Sequence, residues 1–436
     1  MPSAVRFAGP LPLLFALCAL AAAATAAAVD PRSQVAGVAQ VVEAHYHDPA
    51  RGREIADGLR ADAAQGTFDA LHDPRDLATA LTGRLRPLDR HFAVRWSPEP
   101  ASAPGRQEGS PASSAPPLDR SRRGNYGVRR VEVLPGNVGY IDLRQFAHFD
   151  FEAPEPPARR AIEAALQLVA HADALVIDLR GNGGGSPAMV GYLASAFTPR
   201  GADIYNVFHA REGTTSEAPD DWYPTPRLDT PLYLLTSART GSAAEAFAYT
   251  LQNAGRAIVV GERTAGAANP GAEFDAGHGF RVFVSTGSPV SPVTGRNWEG
   301  DGVPPDVAVV PADALSTARM LALEAMLERG PPDAEAVDAR WVLEALRAQA
   351  AAVDSAPFED YIGGYGSVAV GTRDGRLFLR NGRRPPQDLM PLGDDLFAVA
   401  DDPSLRVRFE RDARGRVAAL ETLGSDGRAS RFRRGG

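Results

Sequence analysis

Across residues 126–309, short apolar runs alternate with segments of helical period, and this alternation limits the fold more than any other feature of the chain. Residues 138–143, 174–179, 232–236 and 257–260 are apolar runs of strand length. Between them, 158–172 places Ile162, Ala165, Leu166 and Val169 on one helical face, and 186–197 does the same with Met189, Val190, Leu193 and Phe197. A helix is also expected over 241–253. Runs too continuous for a one-sided sheet predict strands buried on both faces, and the helices between them predict crossovers. An α/β domain is therefore expected, followed by a half-exposed strand in which Phe280, Val282 and Val284 alternate.

The flanks read differently. Residues 38–88 are helical in spacing, from Val41, Val42 and Tyr46 through Ile55 and Leu59 to Leu77 and Leu81. The stretch 97–124 is rich in Pro, Ser, Ala and Arg, and reads as a surface linker too short to hide another folded domain. Helix returns over 313–353, broken at Gly330-Pro331-Pro332. From Phe358 onward, short alternating runs are punctuated by Asp374-Gly375, Arg414-Gly415 and Asp426-Gly427, the pattern of a small antiparallel β domain. At the start, Arg6, an apolar run over 11–24 and Ala26-Ala27-Ala28 form a secretory signal pattern. The expected division is a signal peptide (1–28), an N-terminal helical subdomain (29–96), a linker (97–124), the α/β core (125–330), a helical connector (331–356) and the β domain (357–436). The protein is expected to be exported, periplasmic or secreted, with no membrane span once the signal is cleaved.

Composition removes several chemistries. The formal net charge of -8 argues against a nucleic-acid binder. All 46 basic side chains are arginine, since no lysine occurs. A Ser-Lys dyad, a Schiff-base lysine and a Walker A lysine are thereby excluded, because arginine stays protonated. The single cysteine, Cys18, lies in the signal segment, so disulfides and cysteine catalysis are not expected in the mature chain.

Two strand-to-helix turns can carry chemistry. Asp178-Leu179-Arg180-Gly181-Asn182-Gly183-Gly184-Gly185-Ser186 follows a buried run and opens a helix. It fails the dinucleotide fingerprint, leaving an oxyanion hole of backbone N–H groups or a plain tight turn. Thr240-Gly241-Ser242-Ala243-Ala244-Glu245 also has two readings. Ser242 with Glu245 three residues later is a capping box, yet the same placement sets a hydroxyl at the positive end of a helix dipole, as a nucleophile needs. A serine nucleophile without lysine needs histidine as its base. Of the eight histidines, His91 stands in Asp89-Arg90-His91 at a helix-to-strand junction, but spacing does not choose among them. They form no recognisable zinc pattern, and neither metal nor cofactor is expected.

Taken together, these motifs resemble the tail-specific, or C-terminal-processing, serine peptidases, in the branch of the tricorn core protease and interphotoreceptor retinoid-binding protein. The Asp178–Gly185 run, Gly241-Ser242-Ala243-Ala244-Glu245, Gly261-Glu262-Arg263-Thr264-Ala265-Gly266 and Trp298-Glu299-Gly300-Asp301-Gly302-Val303-Pro304-Pro305-Asp306 match in order. The resemblance implies a crotonase-like (ClpP/crotonase) core sheet. Ala267 stands where the bacterial processing enzymes carry their lysine, so the tricorn-like arrangement is implied instead. In it Ser242 is the nucleophile, His91 the base, Glu299 an orienting group, and Gly185 and Ala243 the oxyanion donors. Arg90 replaces the serine that precedes the histidine in that branch. The linker leaves no room for a PDZ domain. The implied function is an exported serine peptidase acting on peptides or unfolded proteins. The alternative is a catalytically inactive relative that binds apolar ligands or peptides.

Overall fold

The computed structural model describes residues 30–98, 121–350 and 358–435. The expected signal peptide and most of the expected linker lie outside the described residues.

Three helices open the fold: α1 (Pro31–His45), α2 (Pro49–Ala64) and α3 (Pro74–Leu85). Each starts at an Asp-Pro pair. Asp48 accepts the N–H groups of Ala50 and Arg51 at 2.9 and 3.1 Å, Asp73 accepts that of Arg75 at 2.8 Å, and Asp30 caps α1 likewise. An Asp cap contributes about 1 kcal/mol, and proline at the first helical position lacks only an N–H that would have had no helical acceptor. β1 (Ala93–Trp96) follows.

The central sheet uses β2 (Val128–Leu134), β3 (Val138–Leu143), β4 (Ala174–Asp178), β7 (Leu232–Thr236), β8 (Ile258–Gly261) and β12 (Val307–Ala308). Its order is β12-β8-β7-β4-β3-β2, all parallel except the edge strand β2. The helices α4 (Pro157–Leu168), α5 (Pro187–Ser195) and α6 (Ala243–Asn253) cover one face. There Ile162, Met189, Leu193 and Phe247 meet Leu175, Ile177, Leu234 and Val259. On the other face, Val176, Tyr233, Leu235 and Val260 meet Ala318, Ala322 and Leu323 of α7 (Ala314–Glu328), with Val342 and Leu343 of α8 (Asp333–Ala350) behind. Alternate residues of each strand therefore enter different cores, which is why the strands read as unbroken apolar runs.

Residues 271–285 complete the N-terminal unit. Strand β9 (Gly271–Gly277) and strand β10 (Phe280–Ser285) join β1 in the order β1-β10-β9. Phe280, Val282 and Val284 are fully buried against Val38, Ile55, Leu59, Leu77 and Leu81, so α1–α3 share their core with a hairpin nearly two hundred residues away. A third sheet, β11-β5-β6, uses β5 (Val207–Ala210), β6 (Gly213–Ser216) and β11 (Gly287–Val290).

Just beyond the β5–β6 hairpin, Glu217 is 3% exposed. Asn206 donates to its Oε2 at 2.7 Å. Burial pushes its carboxyl up to about 8, outweighing the hydrogen bonds from Asn206. Between the ordinary value of 4.5 and about 8 the folded chain holds a proton that the unfolded chain has lost. Its contribution to stability is thus greatest below 4.5 and falls through that window by up to about 1.4 kcal/mol per pH unit. Glu217→Gln is expected to remove this slope in urea unfolding measured from pH 4.5 to 8; an unchanged slope rejects the assignment.

The C-terminal unit is a meander of eight antiparallel strands, β13 (Gly363–Tyr365), β14 (Val368–Arg373), β15 (Arg376–Asn381), β16 (Gln387–Gly393), β17 (Leu396–Val399), β18 (Asp402–Arg411), β19 (Val417–Gly424) and β20 (Ala429–Arg433). Asp374 and Gly375, with φ of 52° and 73°, make the tight turn their sequence predicts. Tyr365 bridges Arg434, and the Gly435 N–H donates to the Gly364 carbonyl at 2.9 Å, so the sheet closes on itself. Closure removes the exposed edges that an open meander would present. Tyr365, Val370, Leu379, Phe397, Val407 and Phe409 fill the interior. Arg406 fixes this barrel to α8, lying 4.1 Å over the Trp341 ring and bonding Glu344 at 2.6 Å.

Candidate active site

The parallel strands end in register, with Asp178 opposite Leu235 and Leu235 opposite Val260. The segments leaving β4, β7 and β8 therefore converge beyond their carboxyl ends, where open parallel sheets place ligands.

The segment after β4 is the glycine-rich turn. Asn182, fully buried, donates to the Leu143 carbonyl at 3.0 Å and accepts the Gly184 N–H at 2.9 Å. The Gly241 N–H donates to the Asn182 carbonyl at 3.1 Å, tying this turn to the next. Gly184 has φ 118°, and a Cβ there would stand 2.7 Å from the Ser242 Cβ and 3.1 Å from the Ala243 nitrogen. At Gly185 a Cβ would strike the Phe146 carbonyl oxygen at 2.0 Å. Phe146 and Gly185 form a parallel bridge in which the Phe146 N–H and C=O bond to Gly184 and Ser186, so the Gly185 N–H points the other way.

The segment after β7 carries Ser242, exposed, at φ 51° and ψ −123° immediately before α6. A non-glycine residue held there is strained, and such strain gathers at functional sites. Neither the Gly185 nor the Ala243 N–H has an acceptor among the described residues. Glu245 is fully buried and accepts four donors: the Ser242 N–H at 2.8 Å, Gly266 N–H at 2.6 Å, Ala267 N–H at 2.9 Å and Thr264 Oγ1 at 2.5 Å. A capping box requires only the first of these. The other three fasten the loop after β8 to the serine turn.

His91 comes from the α3–β1 junction. Asp89 accepts its backbone N–H at 2.9 Å and approaches its ring Nδ1 at 3.1 Å, while Glu299 Oε1 stands 3.4 Å from the same nitrogen. Glu299 Oε2 accepts the N–H groups of Ala268 and Asn269 at 2.9 and 3.0 Å. Arg90 donates to the carbonyls of Ala265 and Gly300 at 2.9 and 3.2 Å. The residue that departs from the family pattern thus binds the histidine's loop to the loop that Glu245 holds.

Charge follows this geometry. Burial alone would lift the Asp89 carboxyl, but the two hydrogen bonds from His91 prevail and hold it down at about 2. Burial would lower His91, yet the Asp89 hydrogen bond and the Glu299 charge raise it above its ordinary value. Burial lifts Glu299 in spite of the attraction of His91. Asp89, His91 and Glu299 place one ligand atom each within 4.8 Å of one another, the donor set a cation would require. All three already engage each other or backbone N–H groups, an arrangement suited to orienting an imidazole.

The fold brings Glu299 to His91, and sets Gly184, the neighbour of Gly185, against Ser242 and Ala243. Of the other histidines, His45 stacks on Phe274 at 3.8 Å, and His148 meets Ser186 Oγ at 2.9 Å. Sequence reasoning did not single out Asp89 as a partner of the ring, although its spacing of two residues was a usable signal. It read Glu245 only as a cap.

Residues 137–309 match peptidase family S41, a stretch that takes in the glycine-rich turn, Ser242, Glu245 and Glu299 but not His91. The carboxyl-terminal-processing peptidase 1, chloroplastic, of Arabidopsis thaliana is 29% identical over 191 residues, covering 43% of this chain and 37% of that protein. The carboxyl-terminal-processing protease of Picosynechococcus sp. is 30% identical over 184 residues, covering 42% and 41%. The chain thus spans about two fifths of the length of these relatives. Among solved structures, the photosystem II D1 C-terminal processing protease is 18% identical with a TM-score of 0.42, covering 65% of this chain and 94% of that one. The tricorn protease is 20% identical with a TM-score of 0.30, covering 44% and 18%. Over residues 137–309 the chain is thus similar to peptidase family S41, and over a comparable length to these two carboxyl-terminal-processing enzymes.

Proposed function

We propose that the protein is an exported serine peptidase that hydrolyses peptides or unfolded proteins, built on a crotonase-like core. His91 Nδ1 is held by Asp89 and Glu299, leaving Nε2 to take the proton of Ser242 Oγ. The oxygen attacks the scissile carbonyl, and the oxyanion is met by the N–H groups of Gly185 and Ala243. Collapse breaks the C–N bond, His91 returns its proton to the leaving amine, and water enters by the reverse sequence to free the acid. The observation that carries this reading is the shared anchorage of nucleophile and base. Glu245, from the serine's helix, and Arg90, beside the histidine, grip neighbouring atoms of residues 265–267.

The test incubates purified protein with a diverse peptide mixture and reads new termini by mass spectrometry, with Ser242→Ala and His91→Ala in parallel. New termini from the wild type alone support the reading. Cleavage that survives in Ser242→Ala removes the nucleophile. No cleavage by folded wild type favours a binding protein for apolar ligands or peptides. Gly184→Ala probes the oxyanion side: its methyl would push on the Ser242 Cβ and the Ala243 nitrogen. One oxyanion donor is worth about 10²–10³ in turnover, so at least a hundredfold loss of kcat is expected. Retention of kcat within about threefold would place the oxyanion elsewhere.

A further inference from the structure

A cleft of about 410 Å³ opens beside the glycine-rich turn, between the His148–Phe151 segment and the start of α5. It begins two residues from the Gly185 N–H: Pro187 lies in its wall, and His148, on its opposite side, meets Ser186 Oγ at 2.9 Å. Its apolar surface comes from Phe149, Phe151, Pro187 and Ala218. Its ionisable groups are carboxyls apart from His148: Asp150, Asp220 and Glu217, with neither arginine nor lysine among the lining residues. Asp150 and Asp220 are exposed at the rim. Glu217 is buried, and its Oε1 has no hydrogen-bond partner among the described residues. Aromatic walls under an acidic rim suit a side chain with a long apolar stem and a cationic head.

We propose that this cleft is a specificity subsite for an arginine or lysine side chain flanking the scissile bond. The inference rests on the peptidase reading, since it takes the bond to lie over Ser242. The stem packs along Phe149 and Phe151, and the head is met by Asp150 and Asp220. Neutral and acidic side chains gain no such pairing, and acidic ones meet like charge.

The test measures binding without turnover. Ser242→Ala is titrated by fluorescence anisotropy with two alanine-rich peptides that differ only in carrying arginine or norleucine at their centre. The same pair is titrated against Ser242→Ala with Asp150→Asn and Asp220→Asn added, both at exposed positions. The arginine peptide is expected to bind about tenfold tighter than its norleucine twin, and the ratio to fall near one in the triple variant. A ratio near one in Ser242→Ala, a ratio unchanged in the triple variant, or no measurable binding of either peptide overturns the proposal. Wild-type cleavage of the arginine peptide is scored separately. A preserved binding ratio without cleavage leaves the subsite standing and removes the peptidase reading.

Discussion

Ser242→Ala is expected to lower kcat about a millionfold, leaving only what the oxyanion donors and binding supply. His91→Ala is expected to cost nearly as much, and the double variant little more than either single one, because the two act as a unit. Single-turnover assays on a peptide cleaved by the wild type check both. The profile of kcat/KM against pH adds an independent mark. On the proposed mechanism the reaction needs neutral His91, and its pKa is raised by Asp89 and Glu299. The acidic limb is therefore expected above 6.5, the ordinary imidazole value. A limb below 6.5 would show that Nδ1 is not held as described. Independent losses that multiply in the double variant would mean that serine and histidine do not share a proton.

Glu245→Ala is expected to lose about 3–5 kcal/mol of stability together with activity. A helix cap alone is worth about 1 kcal/mol, so the size of the effect separates its two roles. Removing this carboxylate leaves the Gly266 N–H and the Thr264 hydroxyl without their acceptor in the interior, and the half-buried Ser242 and Ala267 N–H groups without theirs. Each buried polar group so abandoned costs about 1–3 kcal/mol. Thr264 Oγ1 also accepts the Val303 N–H at 2.7 Å, so the disturbance reaches the turn that follows Glu299. Urea unfolding measures the stability change, and a loss near 1 kcal/mol would reduce Glu245 to a cap.

The central sheet was legible because burial on both faces leaves little besides apolar residues in β4 and β7. Strands with mixed surfaces were not. β2, with Arg129, Arg130 and Glu132, and β6, exposed along its length, lack the run that marks a strand. Phe280, Val282 and Val284 were read correctly in period, but their burial beneath α1–α3 depends on chain reversal over a long separation. Ser242 and the glycine-rich turn were visible because strand-to-helix turns have local chemistry. Spacing could not choose among the eight histidines, because the contact of His91 with Glu299 arises only in the tertiary fold. The β domain's turns were legible, whereas its closure joins Tyr365 and Gly364 to Arg434 and Gly435, with the Arg434 guanidinium on the Asp360 and Ile362 carbonyls, contacts between distant residues that no local pattern announces.

The hydrophobic union of α1–α3 with β9 and β10 bears on when such a protein becomes dangerous to its own kind. β9 begins a few residues beyond the loop that Glu245 and Arg90 grip, and β10 pairs with the strand that leaves His91. If His91 is the base proposed above, a nascent copy whose N-terminal helices have not docked has a hydroxyl but no base beside it. On the proposed mechanism, folding itself serves as the activation step, and newly made copies are spared digestion by one another's half-assembled sites.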